Sequence, residues 1–472
     1  MAKYFHKKMM YSTKIANILR SLSRLHGSLF FAALAFSFSA CFVMEGKFTA
    51  VAPGIWRGSI QMVTKEIVSQ QGNEIHTVRQ LLTEKEKKTL PESVRLTEST
   101  EGELPFLFDV KYLTDTTFEI DIINGDERIK IDAADIKHGR NRATGKDTLR
   151  IDFPVFGSYI KALYQERIID GEWIIPAKGL TYKFNARFGQ NHRFTTLAKP
   201  PKADLTGKWA CNFDLANEKP YKAIAELTQN GNILRGTFRT ETGDYRYLDG
   251  EVQGDKFYLS TFDGAHAFIF EGKIRADGHL DGTFRSSRET PEIWEAYKNE
   301  AVELRDANAL MLAKSAEAIN FTFPNAEGKA VSLSDYGNKV KILQIMGTWC
   351  PNCWDETRFL TQYLKENPSE KLAIVALSFE RNPEGAATQI GIYKKKMNLP
   401  YEILVAGTTT KKEEAVKSIP FLSEISAYPT MVFVDKNNKI RRIHTGFDGP
   451  ATSKYADFKK EFDDFVKKLM SE

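Results

Sequence analysis

A short apolar strand that leads directly into a Cys-x-x-Cys helix start is the feature that most restricts how this chain folds. Residues 341–346 form the strand, residues 347–353 carry the motif, and an amphipathic helix follows as far as Leu364. A zinc site needs about four ligands, and neither a second cysteine pair nor a His-x-x-x-His follows the motif. From Asn320 onward, strands alternate with helical segments, which is typical of an α/β layer. The sequence therefore predicts an α/β domain built around a redox-active cysteine pair.

The position of Cys350 at the start of a helix predicts which thiol reacts first. Unpaired backbone N–H groups and the positive end of the helix dipole would stabilise a thiolate at this position. Cys353 would lie one turn further on, close enough to attack a mixed disulfide but shielded from solvent. We therefore expect Cys350 to be the nucleophile and Cys353 the resolving thiol. Pro351 suits the first turn because its missing N–H would lack a partner anyway. No metal, and no cofactor other than the redox-active disulfide, is expected.

Two further positions are candidates for support of the cysteine pair. Trp349 is expected to flank the exposed sulfur, and a plain packing aromatic is the alternative. Pro429 precedes an apolar strand at residues 431–435. In most proteins a proline at such a place would end a strand edge.

The C-terminal third of the chain resembles a known family on three motifs. These are Thr348-Trp349-Cys350-Pro351-x-Cys353, the hairpin at residues 328–334, and Tyr428-Pro429-Thr430 before a strand. Together they resemble the TlpA and ResA branch of thiol-disulfide oxidoreductases, often grouped as AhpC/TSA or redoxin domains. The resemblance implies a thioredoxin-like domain with a cis peptide bond at Pro429, which would pack beside the active cysteines.

The resemblance also implies how a proton is handled. The family has a carboxylate at the end of the strand after the redox helix. Glu380 closes residues 372–379 at the matching place, and it would help to move the proton of Cys353. An ordinary surface carboxylate is the alternative for Glu380. Thioredoxins place a buried Asp six residues before the first cysteine, whereas this chain has Gln344 there, so proton handling is expected to fall to Glu380 or to water.

The region before this domain is β-rich. Residues 118–123 and 128–131 alternate in hydrophobicity around Asn124-Gly125, which predicts a hairpin. Parts of the region look like copies of one another. Trp56 follows a Gly-x sequence that is echoed before Trp209, and Asp170-Gly171 is echoed by Asp277-Gly278, 107 positions later. This indicates two related β modules.

A charged stretch follows the β modules. Ile293, Tyr297, Ala301 and Leu304 recur at helical spacing, which predicts a partly helical connector. The predicted fold class is multidomain, with two antiparallel β sandwich or barrel-like modules followed by an α/β thioredoxin-like domain. The predicted domains are a lipoprotein-type signal peptide at 1–40, β module 1 at 41–200, β module 2 at 201–288, the connector at 289–318 and the thioredoxin-like domain at 319–472.

The first residues are typical of an export signal, with a basic stretch, an apolar run at residues 29–40 and small residues before Cys41. Phe38-Ser39-Ala40-Cys41 resembles the lipobox of bacterial lipoproteins, which implies lipidation of Cys41. An ordinary cleaved signal and an uncleaved N-terminal anchor are the alternatives. We expect a membrane-tethered protein of the cell envelope, facing the periplasm, and the β modules resemble secreted proteins of Bacteroidetes-type bacteria.

The charge distribution argues against a nucleic-acid partner. The net charge is +5, but six basic and no acidic side chains lie in the first 40 residues, which leaves 60 basic against 61 acidic side chains. No basic surface for nucleic acid is therefore implied. Cys211 lies in an apparent strand, where a buried inert thiol is expected rather than a reactive one.

Three functions are considered. The first is a reductase of protein disulfides in the cell envelope, recharged by a membrane electron donor. The second is a peroxidase, but Gly347 and Leu343 stand where a peroxidatic Cys350 would need Thr and Pro. In the third, the β modules bind a ligand or partner through the aromatic and charged residues of segments 243–247 and 262–266, whose alternative is tight-turn chemistry with core aromatics.

Overall fold

The computed structural model of this chain describes residues 51–63, 69–71, 74–76, 100, 102–217, 220–286, 291–311, 313–314, 316–409 and 411–472. The predicted signal peptide and Cys41 lie outside the described residues. Among the described residues, no helix has both the length and the apolar composition needed to cross a membrane.

The first module is a nine-stranded antiparallel sheet, here called the half-barrel, with β6 and β7 as its two edges. Its strands alternate between buried and exposed side chains, as in β8 and β9, so one face packs inward. A separate two-stranded sheet pairs β2 with β3. The strands of this part are β1 Gly54–Gln61, β2 Ser69–Gln71, β3 Glu74–His76, β4 Glu103–Tyr112, β5 Phe118–Asn124, β6 Glu127–Ile131, β7 Ile136–Asn141, β8 Lys146–Phe153, β9 Ser158–Gln165, β10 Ile168–Ile175 and β11 Leu180–Phe188.

The second module is a closed barrel. Its ring closes because β13 pairs with both β12 and β14, while β15 adds to the end of β14. Stacked and edge-on rings, such as Phe238, Phe270 and Trp294, fill the interior. Its strands are β12 Gly207–Phe213, β13 Tyr221–Asn230, β14 Ile233–Thr240, β15 Gly243–Asp244, β16 Leu248–Gln253, β17 Lys256–Phe262, β18 Ala267–Ile274, β19 Leu280–Arg285 and β20 Glu292–Lys298.

The third module, here called the redox domain, is a five-stranded sheet in the order β25-β24-β23-β26-β27. β23 runs parallel to β24 and antiparallel to β26, and both β23 and β26 are buried along their whole length because both sheet faces are covered. Its elements are β21 Thr322–Pro324, β22 Ala330–Ser332, β23 Val340–Met346, α1 Pro351–Glu366, β24 Leu372–Phe379, α2 Ala386–Lys396, β25 Glu402–Gly407, α3 Lys412–Ala415, β26 Thr430–Val434, β27 Ile440–Thr445 and α4 Tyr455–Ser471. The predicted α/β thioredoxin-like architecture is confirmed.

The two β modules share a core. Phe262 of the closed barrel packs 4.5 Å from Phe106 and 5.1 Å from Trp173 of the half-barrel, measured between ring centroids. The buried Arg193, which follows β11, donates to the Ser260 carbonyl and hydroxyl of the closed barrel. The half-barrel therefore holds the closed barrel through both apolar contact and buried hydrogen bonds.

The predicted partly helical connector at 289–318 is wrong. Glu292–Lys298 forms β20, which pairs with β12 and β19 and completes the barrel ring. Trp294 and Ala296 are buried in this strand, whereas Tyr297 is 46% exposed. The helical spacing misled because the unpaired edges of β12 and β19 need a strand between them, and backbone pairing outweighs a four-residue apolar pattern. The second module therefore extends ten residues beyond the predicted boundary at 288.

Of the two predicted sequence repeats, one pair occupies equivalent places in the structure and the other does not. Trp56 and Trp209 occupy equivalent places, since each lies in the first strand of its module and donates its indole N–H to a carbonyl four residues earlier. The other pair does not correspond, because Asp170-Gly171 lies inside β10 and Asp277-Gly278 lies in the turn before β19. The predicted hairpin at Asn124-Gly125 is confirmed, with Gly125 at φ +59° between β5 and β6.

Candidate redox site

Strand β23 and helix α1 place the two cysteines at the edge of the redox sheet. Gly347 lies in the turn between β23 and α1. Glycine suits this position because a Cβ there would lie 2.3 Å from the Trp349 ring nitrogen. Cys350 is the N-cap of α1, and its sulfur accepts a hydrogen bond from the backbone N–H of Cys353 at 3.2 Å. Pro351 is the first residue of the helix. The predicted strand–motif–helix arrangement is confirmed.

The two thiols differ in exposure. Both are free, but Cys350 is 6% exposed and Cys353 is completely buried. Burial, followed by the hydrogen bond and charge of Cys350, raises the pKa of Cys353 well above its ordinary value. Cys353 is therefore held as a neutral thiol behind the more accessible sulfur.

The cis peptide bond predicted at Pro429 is confirmed, and it lies beside the nucleophile. The Tyr428–Pro429 bond is cis, and the Cys350 thiol donates to the Tyr428 carbonyl at 3.5 Å. The Trp349 ring packs edge-on against the Tyr428 ring at 5.5 Å, and the guanidinium of Arg381 lies 4.4 Å above the Trp349 ring. Trp349 therefore lies beside Tyr428, whose carbonyl accepts from the Cys350 thiol.

Gln344 lies fully buried beneath the first turn of α1. Its amide nitrogen donates to the Cys353 carbonyl at 3.4 Å and to the Thr357 hydroxyl at 3.0 Å. Its amide oxygen accepts from the Tyr401 hydroxyl at 3.3 Å. The position that thioredoxins fill with Asp therefore carries a neutral hydrogen-bonding group that holds the backbone of the resolving cysteine.

Glu380 is buried at the end of β24, but its partners belong to the loop before the motif. One carboxylate oxygen accepts from the backbone N–H of Thr348 at 3.0 Å and from the Ser378 hydroxyl at 2.5 Å. The other accepts from the Thr348 hydroxyl at 2.7 Å. The surface-carboxylate alternative is wrong, since Glu380 is 4% exposed. Its predicted part in moving the proton of Cys353 stays a prediction.

A further buried acid beside the cysteine pair is Glu356, which the sequence analysis missed. Glu356 is completely buried, and neither carboxyl oxygen has a hydrogen-bond partner. Burial raises its pKa well above the ordinary value. The neighbouring Gln344 side chain lowers this pKa by less, and the nearby Cys350 raises it further. The charge of Glu356 in turn contributes to the raised pKa of Cys353. The available signal was spacing, because a residue three positions after Cys353 shares its side of the helix.

The outer side of the same helical turn is covered by the closed barrel. Asn352, between the two cysteines, donates its side-chain N–H to the Asp244 carbonyl of β15 at 3.2 Å. The approach requires glycine, since a Cβ on Gly243 would lie 2.3 Å from the Asn352 amide nitrogen. The Asp244 carboxylate accepts from the backbone N–H of Gly449 in the redox domain at 2.7 Å.

A charge cluster joins all three modules beside this contact. The guanidinium of Arg246, from the closed barrel, pairs with Glu127 of the half-barrel at 2.6 Å and with Asp263 of its own barrel at 2.9 Å. It also lies 3.0 Å from the carboxylate of Asp355 on α1 and 5.2 Å from the Trp354 ring. All three carboxylates and the guanidinium are almost completely buried.

The two segments predicted as possible ligand-binding sites, 243–247 and 262–266, contribute residues to the core and to the charge cluster. Tyr245 lies inside the closed barrel against Phe284, and Phe262 lies in the half-barrel core, while Arg246 and Asp263 belong to the charge cluster. Cys211 is buried, and burial raises its pKa to about 12, as expected of an inert thiol. Among the described residues, no group of three or more His, Cys, Asp or Glu could hold a metal ion.

Comparison with known proteins agrees with this geometry. Residues 315–443 match the model of the AhpC/TSA family. The thiol-disulfide oxidoreductase ResA of Bacillus thuringiensis is 26% identical over 124 residues, which cover 26% of this chain and 65% of that protein, slightly less than two thirds of its length. ResA of Bacillus subtilis is 22% identical over 135 residues, which cover 29% of this chain and 69% of that protein.

Solved structures match a similar share of the chain. A thioredoxin family thiol:disulfide interchange protein from Chlorobium tepidum aligns with 34% of this chain and 99% of its own, at 20% identity and a TM-score of 0.27. A thiol-disulfide oxidoreductase from Bacteroides fragilis aligns with 30% of this chain and 98% of its own, at 23% identity and a TM-score of 0.23. The C-terminal module, with its strand–Cys-x-x-Cys–helix unit at residues 341–366, has a thioredoxin-like fold, matches the AhpC/TSA family model and is similar to the ResA thiol-disulfide oxidoreductases.

Proposed function

We propose that this chain is a thiol-disulfide oxidoreductase that reduces protein disulfides through Cys350 and Cys353. The single observation that carries the proposal is the asymmetry of the two thiols. Cys350 caps a helix and retains an exposed fraction, whereas Cys353 is buried with a raised pKa directly behind it. This is the arrangement that a nucleophilic and a resolving thiol require.

In the first step, the Cys350 thiolate attacks one sulfur of a substrate disulfide. The substrate S–S bond breaks, a mixed disulfide forms between Cys350 and the substrate, and the other substrate sulfur leaves as a thiolate that takes up a proton. The backbone N–H of Cys353 donates to the Cys350 sulfur, which stabilises negative charge there before the attack. The Tyr428 carbonyl fixes the direction in which the Cys350 S–H points.

In the second step, Cys353 loses its proton and attacks the Cys350 sulfur. The mixed disulfide breaks, the second substrate thiol is released, and the chain is left with a Cys350–Cys353 disulfide after giving two electrons to the substrate. Cys353 needs a proton acceptor because burial keeps it neutral. We assign this role to Glu356, whose raised pKa brings it closer to the range in which a carboxylate can accept and return a proton near neutral pH.

The pair must then be reduced again by an electron donor. We propose a membrane electron donor, and a lipid anchor on Cys41 that keeps the chain at the envelope membrane. The export-type start of the sequence supports this placement, as does the similarity to ResA. No metal or further cofactor enters the two steps.

The test is single turnover of the reduced, full-length chain with insulin disulfides. The unaltered chain is expected to reduce one disulfide per molecule and to form the Cys350–Cys353 bond, as seen by mass spectrometry. Cys353→Ser is expected to stop at a covalent adduct with insulin, while Cys350→Ser forms none. Cys211→Ser is the matched control and should behave like the unaltered chain.

Two outcomes would overturn the proposal. One is disulfide exchange at an undiminished rate in Cys350→Ser. The other is faster consumption of hydrogen peroxide than of insulin disulfides, which would favour a peroxidase. The direction of electron flow has its own measurement, the redox potential against glutathione. A value near that of reducing thioredoxins, about −270 mV, supports reduction, and one near about −120 mV contradicts it.

A further inference from the structure

Arg246 is an unusual residue for the surface of a β-barrel. Its side chain is 2% exposed, and its backbone adopts φ +59°, a conformation that non-glycine residues seldom adopt. The guanidinium contacts one carboxylate from each of the three modules, Glu127, Asp263 and Asp355. A buried ion cluster of this kind is weak evidence for stability, because desolvation offsets much of the attraction. Stability alone therefore does not explain why the cluster lies next to the redox helix.

The backbone around Arg246 is built to reach that helix. Tyr245 anchors the segment by inserting among the barrel rings, with Phe284 at 4.9 Å and Phe270 at 5.5 Å. The residues on either side of Tyr245, Asp244 and Arg246, contact the redox helix instead. Asp244 accepts from Asn352 through its carbonyl, and its carboxylate accepts from the backbone N–H of Arg246 at 2.6 Å. One short segment therefore links the barrel interior to the residue between the cysteines.

The redox helix receives these contacts at its first turn. Asn352 lies between Cys350 and Cys353, and Asp355 lies two residues after Cys353. Both residues are on the helical turn that carries the cysteines, and charges in a buried, low-dielectric region act more strongly than charges in water. The carboxylate of Asp355 and the guanidinium of Arg246 are therefore opposing buried charges at the turn that carries the reacting pair.

We propose that Asp244 and Arg246 of the closed barrel are positioning residues of the redox site, which hold the first turn of α1 and set the charge beside Cys350 and Cys353, so that the barrel tunes their redox potential. The inference rests on the proposed dithiol–disulfide cycle and adds a role for the second β module. Neither residue touches a substrate sulfur, and each acts through Asn352 or Asp355.

The direction of the effect follows from the charges. The reduced pair exchanges with glutathione disulfide to give the Cys350–Cys353 bond and two glutathione thiols, so any group that stabilises the Cys350 thiolate stabilises the reduced form and raises the potential. Arg246→Gln leaves the carboxylates of Asp355, Glu127 and Asp263 uncompensated, and the potential should fall. Asp355→Asn removes one negative charge from the cluster, and the potential should rise.

The experiment measures the equilibrium constant of the full-length chain with glutathione at pH 7.5, with near-UV circular dichroism as the check on folding. We expect Arg246→Gln and Asp355→Asn to shift the constant about tenfold in opposite directions, which is about 30 mV each way for a two-electron couple. Arg246→Lys keeps the positive charge and should stay close to the unaltered chain. If Arg246→Gln does not fold, the predicted rise in Asp355→Asn decides alone.

Arg239→Gln is the matched control. Arg239 is another buried arginine of the closed barrel, and it reaches the redox domain at Asp448 instead of α1. Its loss should leave the equilibrium constant unchanged. An unchanged constant in both Arg246→Gln and Asp355→Asn, or the same shift in Arg239→Gln, would overturn the positioning role. Failure of the unaltered chain to reduce insulin would instead overturn the proposed function, because the glutathione equilibrium does not depend on a protein substrate.

Discussion

Two neighbouring acids on one helix meet opposite surroundings. Asp355 faces the closed barrel, where the guanidinium of Arg246 lies 3.0 Å from its carboxylate. Glu356, the next residue, faces the interior of the redox domain, and neither of its carboxyl oxygens has a hydrogen-bond partner. Burial raises the pKa of both, to about 6 for Asp355 and well above the ordinary value for Glu356. The difference lies in the positive charge that only Asp355 receives.

The contrast separates two uses of a buried carboxyl group. A carboxylate fixed by a guanidinium serves as a permanent charge and a structural contact, because releasing it would break a buried ion pair. A carboxyl group without a partner can gain or lose a proton with little rearrangement, which is what a proton acceptor for Cys353 requires. We call the side of α1 that faces the closed barrel, with Asp355, the outer side, and the side that faces the interior of the redox domain, with Glu356, the inner side. The outer side therefore holds the helix in place, and the inner side carries the proposed proton acceptor of Cys353.

The largest expected effect tests the outer side. Arg246→Ala removes one cation from three buried carboxylates, and breaking a buried pair in this way costs about 3–5 kcal/mol. We expect the free energy of unfolding to fall by that amount in urea denaturation, followed by tryptophan fluorescence.

The matched control for that loss is Arg235→Ala. Arg235 pairs with Asp126 and Asp249, but its side chain is 44% exposed. Exposed ion pairs contribute about 0–1 kcal/mol. If the two variants lost the same stability, the distinction between a buried and a solvated ion cluster on this barrel would be wrong.

The next largest effect tests the inner side. Glu356→Gln removes the proposed proton acceptor of Cys353 while keeping the shape of the side chain. General base catalysis typically contributes at least about 100-fold, so we expect release of reduced insulin from the mixed disulfide to slow by about 100-fold in stopped-flow measurements. Formation of the mixed disulfide by Cys350 should change little.

Glu380→Gln is the comparison for this step. Glu380 holds Thr348 through two hydrogen bonds, so its substitution should disturb the loop and slow both steps by less than tenfold. A selective 100-fold loss in Glu380→Gln, with Glu356→Gln unaffected, would assign the proton to Glu380, as the sequence first suggested.

The parts of the site that sequence predicts are those fixed by local pattern. The strand before Cys350, the proline that opens α1 and the cis bond at Pro429 each follow from a few adjacent residues or from a family motif. Glu356 was within reach of the same reasoning, because three-residue spacing from Cys353 on a helix was visible. The family resemblance points instead to the end of β24, where Glu380 lies.

The contacts that sequence does not predict are those between distant segments. Arg246 and Asp355 are 109 positions apart, and nothing local at either residue identifies the other. The same limit explains β20, whose role depends on the open edges of β12 and β19 rather than on its own apolar spacing. Asp170-Gly171 and Asp277-Gly278 share letters, but strand pairing around them gives one a place inside β10 and the other a turn.

The pH dependence of stability gives the finest test of the contrast between Asp355 and Glu356. A carboxyl group whose pKa is raised on folding contributes stability that is present below its unfolded pKa and is lost as pH rises through its folded pKa. For Asp355 this loss runs from about pH 3.8 to about pH 6. For Glu356 it begins near pH 4.5 and continues to higher pH, because its pKa is raised well above that value.

The pH ranges in which Asp355 and Glu356 lose their contribution to stability can be separated by urea denaturation between pH 5 and pH 8.5. Each neutral variant is compared with the unaltered chain. The stability of Glu356→Gln relative to the unaltered chain should increase with pH beyond pH 6. The relative stability of Asp355→Asn should become constant above about pH 6, where Asp355 has already ionised beside Arg246. A Glu356→Gln difference that is flat above about pH 6 would mean that Glu356 ionises as readily as Asp355, and the inner carboxyl would then be one more fixed charge.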